Sequence, residues 1–134
     1  ALDCLALAAA VDVHAISHVT GGGLAANLAR VLPESVAVDI DRATWIPQPV
    51  FGLIGELGRV DRADLERTFN MGSGMVAVVA EADADAALAL LAQRGVPAWA
   101  CGVVRPRRDG ELGDAEAKGG SGGAVTLVAE HRRP

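Results

Sequence analysis

The chain is poor in aromatic side chains, since its 134 residues include two Trp, two Phe and no Tyr. Hydrophobic residues nevertheless make up 51% of the sequence, so Val, Leu, Ile and Ala must fill most of any core. A chain of this length and composition is expected to bury one hydrophobic core. We therefore expect a single domain over residues 1–134.

Cysteine is also scarce. Cys4 and Cys101 lie among apolar neighbours, without the Cys-x-x-Cys spacing or paired pattern of small disulfide-stapled proteins. The longest apolar stretch, residues 5–11, is much too short to span a bilayer, and no basic region precedes it as in a signal peptide. These absences predict a cytoplasmic protein with no membrane partner.

The chain lacks an excess of basic residues. It has 12 Lys and Arg against 17 Asp and Glu, which gives a formal net charge of −5. A protein that binds nucleic acid without sequence preference needs a basic face, because affinity comes largely from counterions displaced from phosphate. The composition therefore predicts no nucleic-acid partner and a solvated acidic surface.

Hydrophobic periodicity predicts alternating helices and extended segments. Pro33 is expected to end one helix, and Asp61 to cap the start of another. The predicted helices cover residues 1–11, 24–32, 50–57, 61–69 and 83–94, and the predicted extended segments cover residues 12–20, 36–40, 75–80, 98–104 and 125–129.

The order of these elements predicts an α/β domain with a small mixed sheet and packed helices, partly like a ferredoxin-type sandwich. Residues 75–80 form a continuous apolar run, which is typical of a strand in the covered middle of a sheet. The strand–helix–strand order over residues 75–104 predicts a parallel pair joined by a right-handed crossover. Residues 105–123, rich in charge and glycine, are expected to form a mobile surface loop, and residues 125–129 an edge strand.

One candidate site begins at a glycine cluster, Thr20, Gly21, Gly22 and Gly23, called here the first corner. Consecutive glycines allow positive φ and close approach of a ligand, and the following helix start offers unpaired N–H groups to an anion. A plain tight turn into a helix is the alternative. Asn27 lies one turn into that helix and is expected to face the same pocket.

His18 stands directly before the first corner. A neutral imidazole there could donate a hydrogen bond to a substrate oxygen or shuttle a proton near neutral pH. The alternative is a half-buried histidine satisfied by backbone groups. His14 lies four residues earlier, which is a metal-ligand spacing on a helix, but no third ligand is suitably placed and no metal site is predicted.

A second corner, residues 70–74, comes directly before the apolar run at Met75. Its Asn side chain can donate and accept, and its glycines permit a strained turn whose N–H groups point one way, as suits phosphate or a carboxamide oxygen. Arg67 either adds positive charge or pairs with an acid on its own helix. The candidate residues are Asn70, Met71, Gly72, Ser73 and Gly74, of which Met71 fits a core position as well as a contact.

The two corners, with Trp45 and the Pro49-Val50-Phe51 segment between them, resemble the carboxy-terminal domain of the phosphoribosylformylglycinamidine cyclo-ligases, the aminoimidazole ribonucleotide synthetases of purine biosynthesis. The resemblance covers about residues 13–104. Val19 stands where that family normally has Ile, which is a conservative change. Residues 105–123 depart from the family, in which the connection is much shorter.

The resemblance implies an ATP-dependent ring closure of formylglycinamidine ribonucleotide in a larger homodimeric enzyme. In the family the amino-terminal half, absent from this chain, supplies most of the site for ATP and Mg²⁺. This domain would form one wall of the cleft, with His18 and Asn70 in catalytic roles. The other first- and second-corner residues, with Asn27, would grip the substrate.

Two other functions are also compatible with the sequence. The chain could belong to another member of the same superfamily, such as a thiamine-phosphate kinase or a selenophosphate synthetase, although the string over residues 68–75 fits the purine enzyme better. It could also be a non-catalytic module that binds a metabolite on a ferredoxin-like sheet. A regulatory sheet would not need both glycine corners.

Overall fold

The computed structural model describes residues 1–117 and 119–132. These residues form five helices and five strands, which confirms the α/β class. Short 3₁₀ turns cover Arg42–Thr44 and Glu81–Asp83. The helices are α1 (Leu2–Ala10), α2 (Gly23–Ala29), α3 (Pro49–Gly58), α4 (Arg62–Thr68) and α5 (Ala84–Gln93), and the strands are β1 (Val13–His18), β2 (Val36–Asp41), β3 (Met75–Val79), β4 (Gly102–Pro106) and β5 (Ala124–Val128).

The described strands divide into two sheets where one mixed sheet was expected. β1 pairs with β3 in an antiparallel ribbon. In the other sheet β2 lies in the middle, antiparallel to β4 and parallel to β5. The prediction that the last strand lies at an edge is confirmed, because β5 pairs with β2 alone among the described strands.

The predicted parallel pair of β3 and β4 is wrong. The two strands belong to different sheets, and α5 connects the sheets instead of crossing over within one. The crossover rule applies only to strands of a single sheet, and the order of elements does not say which strands will pair. β4 also begins later than expected, at Gly102, because residues 98–101 form no regular element.

The prediction that β3 lies in the covered middle of a sheet is also wrong. Its described strand neighbour is β1 alone, and Met75 is 47% exposed. Val76 points the other way and is buried. A run of apolar residues does not by itself distinguish a covered strand from one that is half exposed.

α2 is the element that both sheets share. It packs against β1 of the ribbon, β5 of the larger sheet and α4. Leu28 and Ala29 are almost completely buried on its inner face. The helix ends at Ala29, earlier than predicted, because the amides of Val31 and Leu32 bond to carbonyls three residues back and tighten the last turn.

The local signals around α4 are confirmed. Asp61 is its N-cap, and the Asp61 carboxylate accepts a hydrogen bond of 2.9 Å from the Asp64 amide. Leu65 is buried, and Phe69 at the end of the helix meets Phe51 of α3 with ring centroids 5.9 Å apart. α4 thereby holds α3 against the rest of the domain.

The segment over residues 105–123 makes specific contacts. Arg105 pairs with Glu111 at 2.5 Å, and this bond lowers the pKa of the Glu111 carboxyl to about 2. The Gly123 amide donates to the carbonyls of Ala29 and Leu32 at the end of α2. Mobility of this segment stays a prediction, and Lys118 lies outside the described residues.

An apolar cleft of about 690 Å³ lies between the two sheets, with α1 and α5 contributing to its walls. Trp99 and Cys101 border it, and burial raises the pKa of the Cys101 thiol. No helix over residues 1–117 and 119–132 combines the length and apolar character needed to cross a membrane.

Candidate functional site

The structure brings the two glycine corners together. In the β1–β3 ribbon His18 lies opposite Met75, so the first corner leaves β1 at the point where the second corner enters β3. The Val19 amide donates a hydrogen bond of 2.9 Å to the Gly74 carbonyl. Segments about fifty residues apart in sequence thus form one continuous edge of backbone.

The first corner requires glycine at two positions. Gly22 has φ +103° and Gly23 has φ +74°, in the left-handed region that side chains other than glycine rarely adopt. A Cβ at Gly23 would also overlap the backbone carbonyl of Glu66 in α4. The loop therefore approaches α4 more closely than any other residue would allow.

Asn27 lies inside the first corner and is fully buried. Its Nδ2 group donates to the carbonyls of Gly23 at 2.7 Å, Thr20 at 3.2 Å and Gly21 at 3.3 Å. Its Oδ1 accepts from the Thr20 hydroxyl at 3.3 Å. Both polar atoms of the amide stabilise the loop, and the predicted contact of Asn27 with substrate stays a prediction.

The second corner is a tight turn over residues 70–73. The Ser73 amide bonds to the Asn70 carbonyl at 2.9 Å, and the central residues Met71 and Gly72 have φ of +49° and +96°. Two positive φ values are the pattern of a type I′ turn. The strained turn expected from the glycines is confirmed at Gly72, whereas Gly74 has no positive φ and the first strained residue is a methionine.

The Asn70 side chain supports this turn with one of its two polar atoms. Its Oδ1 accepts a hydrogen bond of 3.0 Å from the Gly72 amide. Within the described residues its Nδ2 group makes no hydrogen bond with protein, and Asn70 is half-buried. The amide can therefore hold the turn and donate to a ligand at the same time.

The predicted site residues divide by exposure. His18 is exposed at the end of β1, which rules out the half-buried alternative. It also lies on a strand, so the helical spacing considered for His14 and His18 does not apply. The exposed candidates are His18, Thr20, Gly21, Gly22 and Gly74; Asn70 and Gly72 are half-buried; Gly23, Asn27, Met71 and Ser73 are buried.

Two further side chains support the second corner, and neither had a predicted role in the site. Trp45, buried beside it, donates its indole Nε1–H to the Met71 carbonyl at 3.0 Å. Gln48 covers Gly72 so closely that an added Cβ would lie 2.5 Å from its Oε1. Trp45 belonged to the sequence pattern of the resemblance, but no sequence signal places Gln48 over Gly72.

A partly buried ionic cluster lies behind the second corner. Glu66 bonds to Arg42 at 2.6 Å and to Arg62 at 3.0 Å, and the imidazole of His131 lies 3.6 Å away. A cavity of about 10 Å³, enough for roughly one water, separates this cluster from Asn70. The second corner therefore has this small cavity on its inner side, while Gly74 and the first-corner residues Thr20, Gly21 and Gly22 are exposed.

Arg67 is the charged side chain that the sequence placed next to the second corner. Arg67 pairs with Asp64 on its own helix, which decides between the two roles left open for it. This pairing raises the pKa of the Arg67 guanidinium. The part of the chain that the structure describes brings together no group of three or more side chains able to hold a metal ion.

The fold and the paired corners define an α/β domain with two glycine turns along one edge, and comparison with known proteins identifies the family. Residues 1–115 match the model of the family described as AIR synthase related protein, C-terminal domain. The chain belongs to this family.

Relatives with high identity share one name. The chain is 62% identical over 117 residues to a Streptomyces fradiae protein provisionally named a phosphoribosylformylglycinamidine cyclo-ligase. It is 43% identical over 107 residues to the phosphoribosylformylglycinamidine cyclo-ligase of Paraburkholderia phymatum, and 44% identical over 117 residues to that of an Anaeromyxobacter species.

These matches cover most of this chain but only part of each relative. They span 87%, 80% and 87% of the chain, against 63%, 30% and 32% of the three relatives. The chain therefore corresponds to a portion of the proteins that carry this name.

Proposed function

We propose that this domain is one wall of the active site of an ATP-dependent cyclo-ligase that converts formylglycinamidine ribonucleotide to aminoimidazole ribonucleotide. The observation that carries the proposal is the hydrogen bond between Val19 and Gly74, which joins the two glycine corners into one edge. The shared name of the relatives supports the choice of reaction.

In this reaction the amide oxygen of the substrate is activated by phosphoryl transfer, and an amidine nitrogen then displaces phosphate to close the ring. Such chemistry depends mainly on positioning and on stabilising charge on the moving phosphoryl group. The Nδ2 group of Asn70 and the exposed backbone of Gly21 and Gly22 are suited to the first task. His18, exposed at the end of β1, is suited to donating or accepting a proton.

This domain and the rest of a larger protein would each supply part of the active site. ATP and Mg²⁺ would bind mainly to an amino-terminal domain, and the whole protein would act as a homodimer in the cytoplasm. The exposed edge of backbone formed by the two corners would give substrate one wall, which is consistent with a site completed by another domain.

The 134-residue chain alone is expected to fold without catalysing the reaction. Circular dichroism should show one cooperative mixed α/β transition, while a coupled ADP-release assay stays at background. The whole protein should release ADP only when formylglycinamidine ribonucleotide is present. Substrate-dependent ADP release by the isolated chain would contradict the division of labour, and its absence in the whole protein would contradict the function.

Gly22→Val in the whole protein is expected to raise the KM for formylglycinamidine ribonucleotide or abolish turnover. The reason is the φ of +103° at Gly22, which a β-branched residue adopts only with strain. Gly95→Val is the matched control, because Gly95 also has a positive φ, of +71°, no heavy atom lies within 4 Å of an added Cβ there, and it lies outside both corners. Wild-type activity in Gly22→Val would show that the first corner is only a turn.

A further inference from the structure

We propose that His131 is a positioning residue for the second corner, which it holds through Trp45 from the segment that follows β5. This inference rests on the proposed function for its effect on substrate binding, but not for its effect on the corner itself. His131 lies beyond residues 1–115, the part of the chain that matches the family model.

Trp45 contacts the second corner directly. The indole Nε1–H bonds to the Met71 carbonyl at 3.0 Å, and Met71 holds a φ of +49°. A residue other than glycine keeps such a conformation only when its surroundings fix it. The Trp45 ring is therefore part of what maintains the turn that Asn70 begins.

His131 in turn packs against Trp45. The two rings meet edge to face with centroids 4.4 Å apart, which is a favourable aromatic geometry. The His131 side chain is only 2% exposed. Its Nδ1 atom is buried and has no hydrogen bond of normal geometry with the described residues. Burial of the ring favours its neutral form, which packs against the indole of Trp45.

The strand that leads into the His131 segment is attached to α4 through Arg42. Arg42 donates from its Nε to the Val128 carbonyl at 3.3 Å and from its Nη1 to Glu66 at 2.6 Å. The Glu66 backbone in turn abuts Gly23 of the first corner. β5 is thus fixed to α4 through Arg42, and His131, three residues after β5, lies 3.6 Å from the same Glu66 carboxylate.

Burial, together with nearby charge, makes the contact of His131 with Trp45 sensitive to pH. Burial lowers the pKa of His131 below its ordinary value of 6.5, and Arg62 acts in the same direction, while Glu66 opposes them. The contact made by the neutral ring is therefore complete above about pH 6.5 and is lost as the pH falls through the lower pKa of the folded protein. Arg42, Arg62 and Glu66 are the charged groups that surround the ring.

The direct test is a pH titration of the 134-residue chain by NMR, from about pH 8 to about pH 5. The chain has two indole Nε1–H signals, from Trp45 and Trp99, and Trp99→Phe assigns them. We expect the Trp45 signal and the Gly72 amide to shift with one midpoint below 6.5. His131→Phe, which keeps an edge contact without titrating, should remove that midpoint. His14→Ala, at an exposed histidine, should leave it unchanged.

The test in the whole protein is the separation of KM from kcat. His131→Ala should raise KM for formylglycinamidine ribonucleotide by about three- to thirty-fold with little change in kcat, and His131→Phe should restore it. The proposal is overturned if the Trp45 midpoint is missing, if it persists in His131→Phe, or if His131→Ala leaves KM unchanged. A wild-type protein without turnover would contradict the proposed function alone, and the NMR titration would still decide the role of His131.

Discussion

Asn70→Ala in the whole protein is expected to lower kcat/KM by about ten- to a thousand-fold, with a much smaller loss of stability. The range corresponds to about 1.5–4 kcal/mol of transition-state stabilisation, which is typical of losing one or two well-placed hydrogen bonds. Asn70 Oδ1 holds the Gly72 amide at 3.0 Å, and its Nδ2 group has no protein partner among the described residues. Melting temperature and kcat/KM should be measured on the same preparation.

Asn70→Asp separates the two roles of the side chain. Aspartate keeps an oxygen that can accept from the Gly72 amide, but it cannot donate. If Asn70 contacts substrate through Nδ2, Asn70→Asp should lose activity as Asn70→Ala does while keeping a wild-type melting temperature. If Asn70→Ala instead loses stability while the folded fraction keeps full specific activity, Asn70 is only a turn residue and its assignment to the site is wrong.

Gly23→Ala should have the largest effect on stability of any single methyl addition at the first corner. The added Cβ would overlap the Glu66 carbonyl, and the φ of +74° is unfavourable for alanine. The left-handed backbone costs about 1–2 kcal/mol, and forced overpacking costs about 1–3 kcal/mol. Together these terms predict a fall in melting temperature of about 10–20 °C.

Gly52→Ala in α3 provides the matched control for this substitution. No heavy atom lies within 4 Å of the added Cβ at Gly52, and alanine favours helix. Its melting temperature should equal or slightly exceed that of the wild type. A Gly23→Ala protein that melts with the wild type would show that the first corner does not press against α4, and the continuous wall described here would be wrong.

Local features of the fold could be predicted from the sequence because their causes lie within a few residues. Asp61 caps α4 through an amide three positions away. Glycines 22, 23 and 72 adopt the positive φ values that make them useful in corners. Sequence also predicted that the two corners lie together, and the bond from Val19 to Gly74 joins them; their role as one binding site stays a prediction.

Strand pairing and the surroundings of the corners could not be read in the same way. Whether β3 pairs with β1 or β4 depends on contacts between residues far apart in the chain, which periodicity does not encode. The amide of Asn27 faces inward because three loop carbonyls converge on it. No spacing in the sequence shows that convergence.

The sequence by itself determined the α/β class, the family and the two glycine corners, because composition, periodicity and short motifs act locally. Only the tertiary structure decided what stands behind the second corner. Arg42, Glu66 and His131 come from three distant parts of the chain, and their side chains meet only after α4 and β5 have both packed against α2. Burial then removes water from the His131 ring, and that desolvation gives an ordinary histidine its shifted pKa.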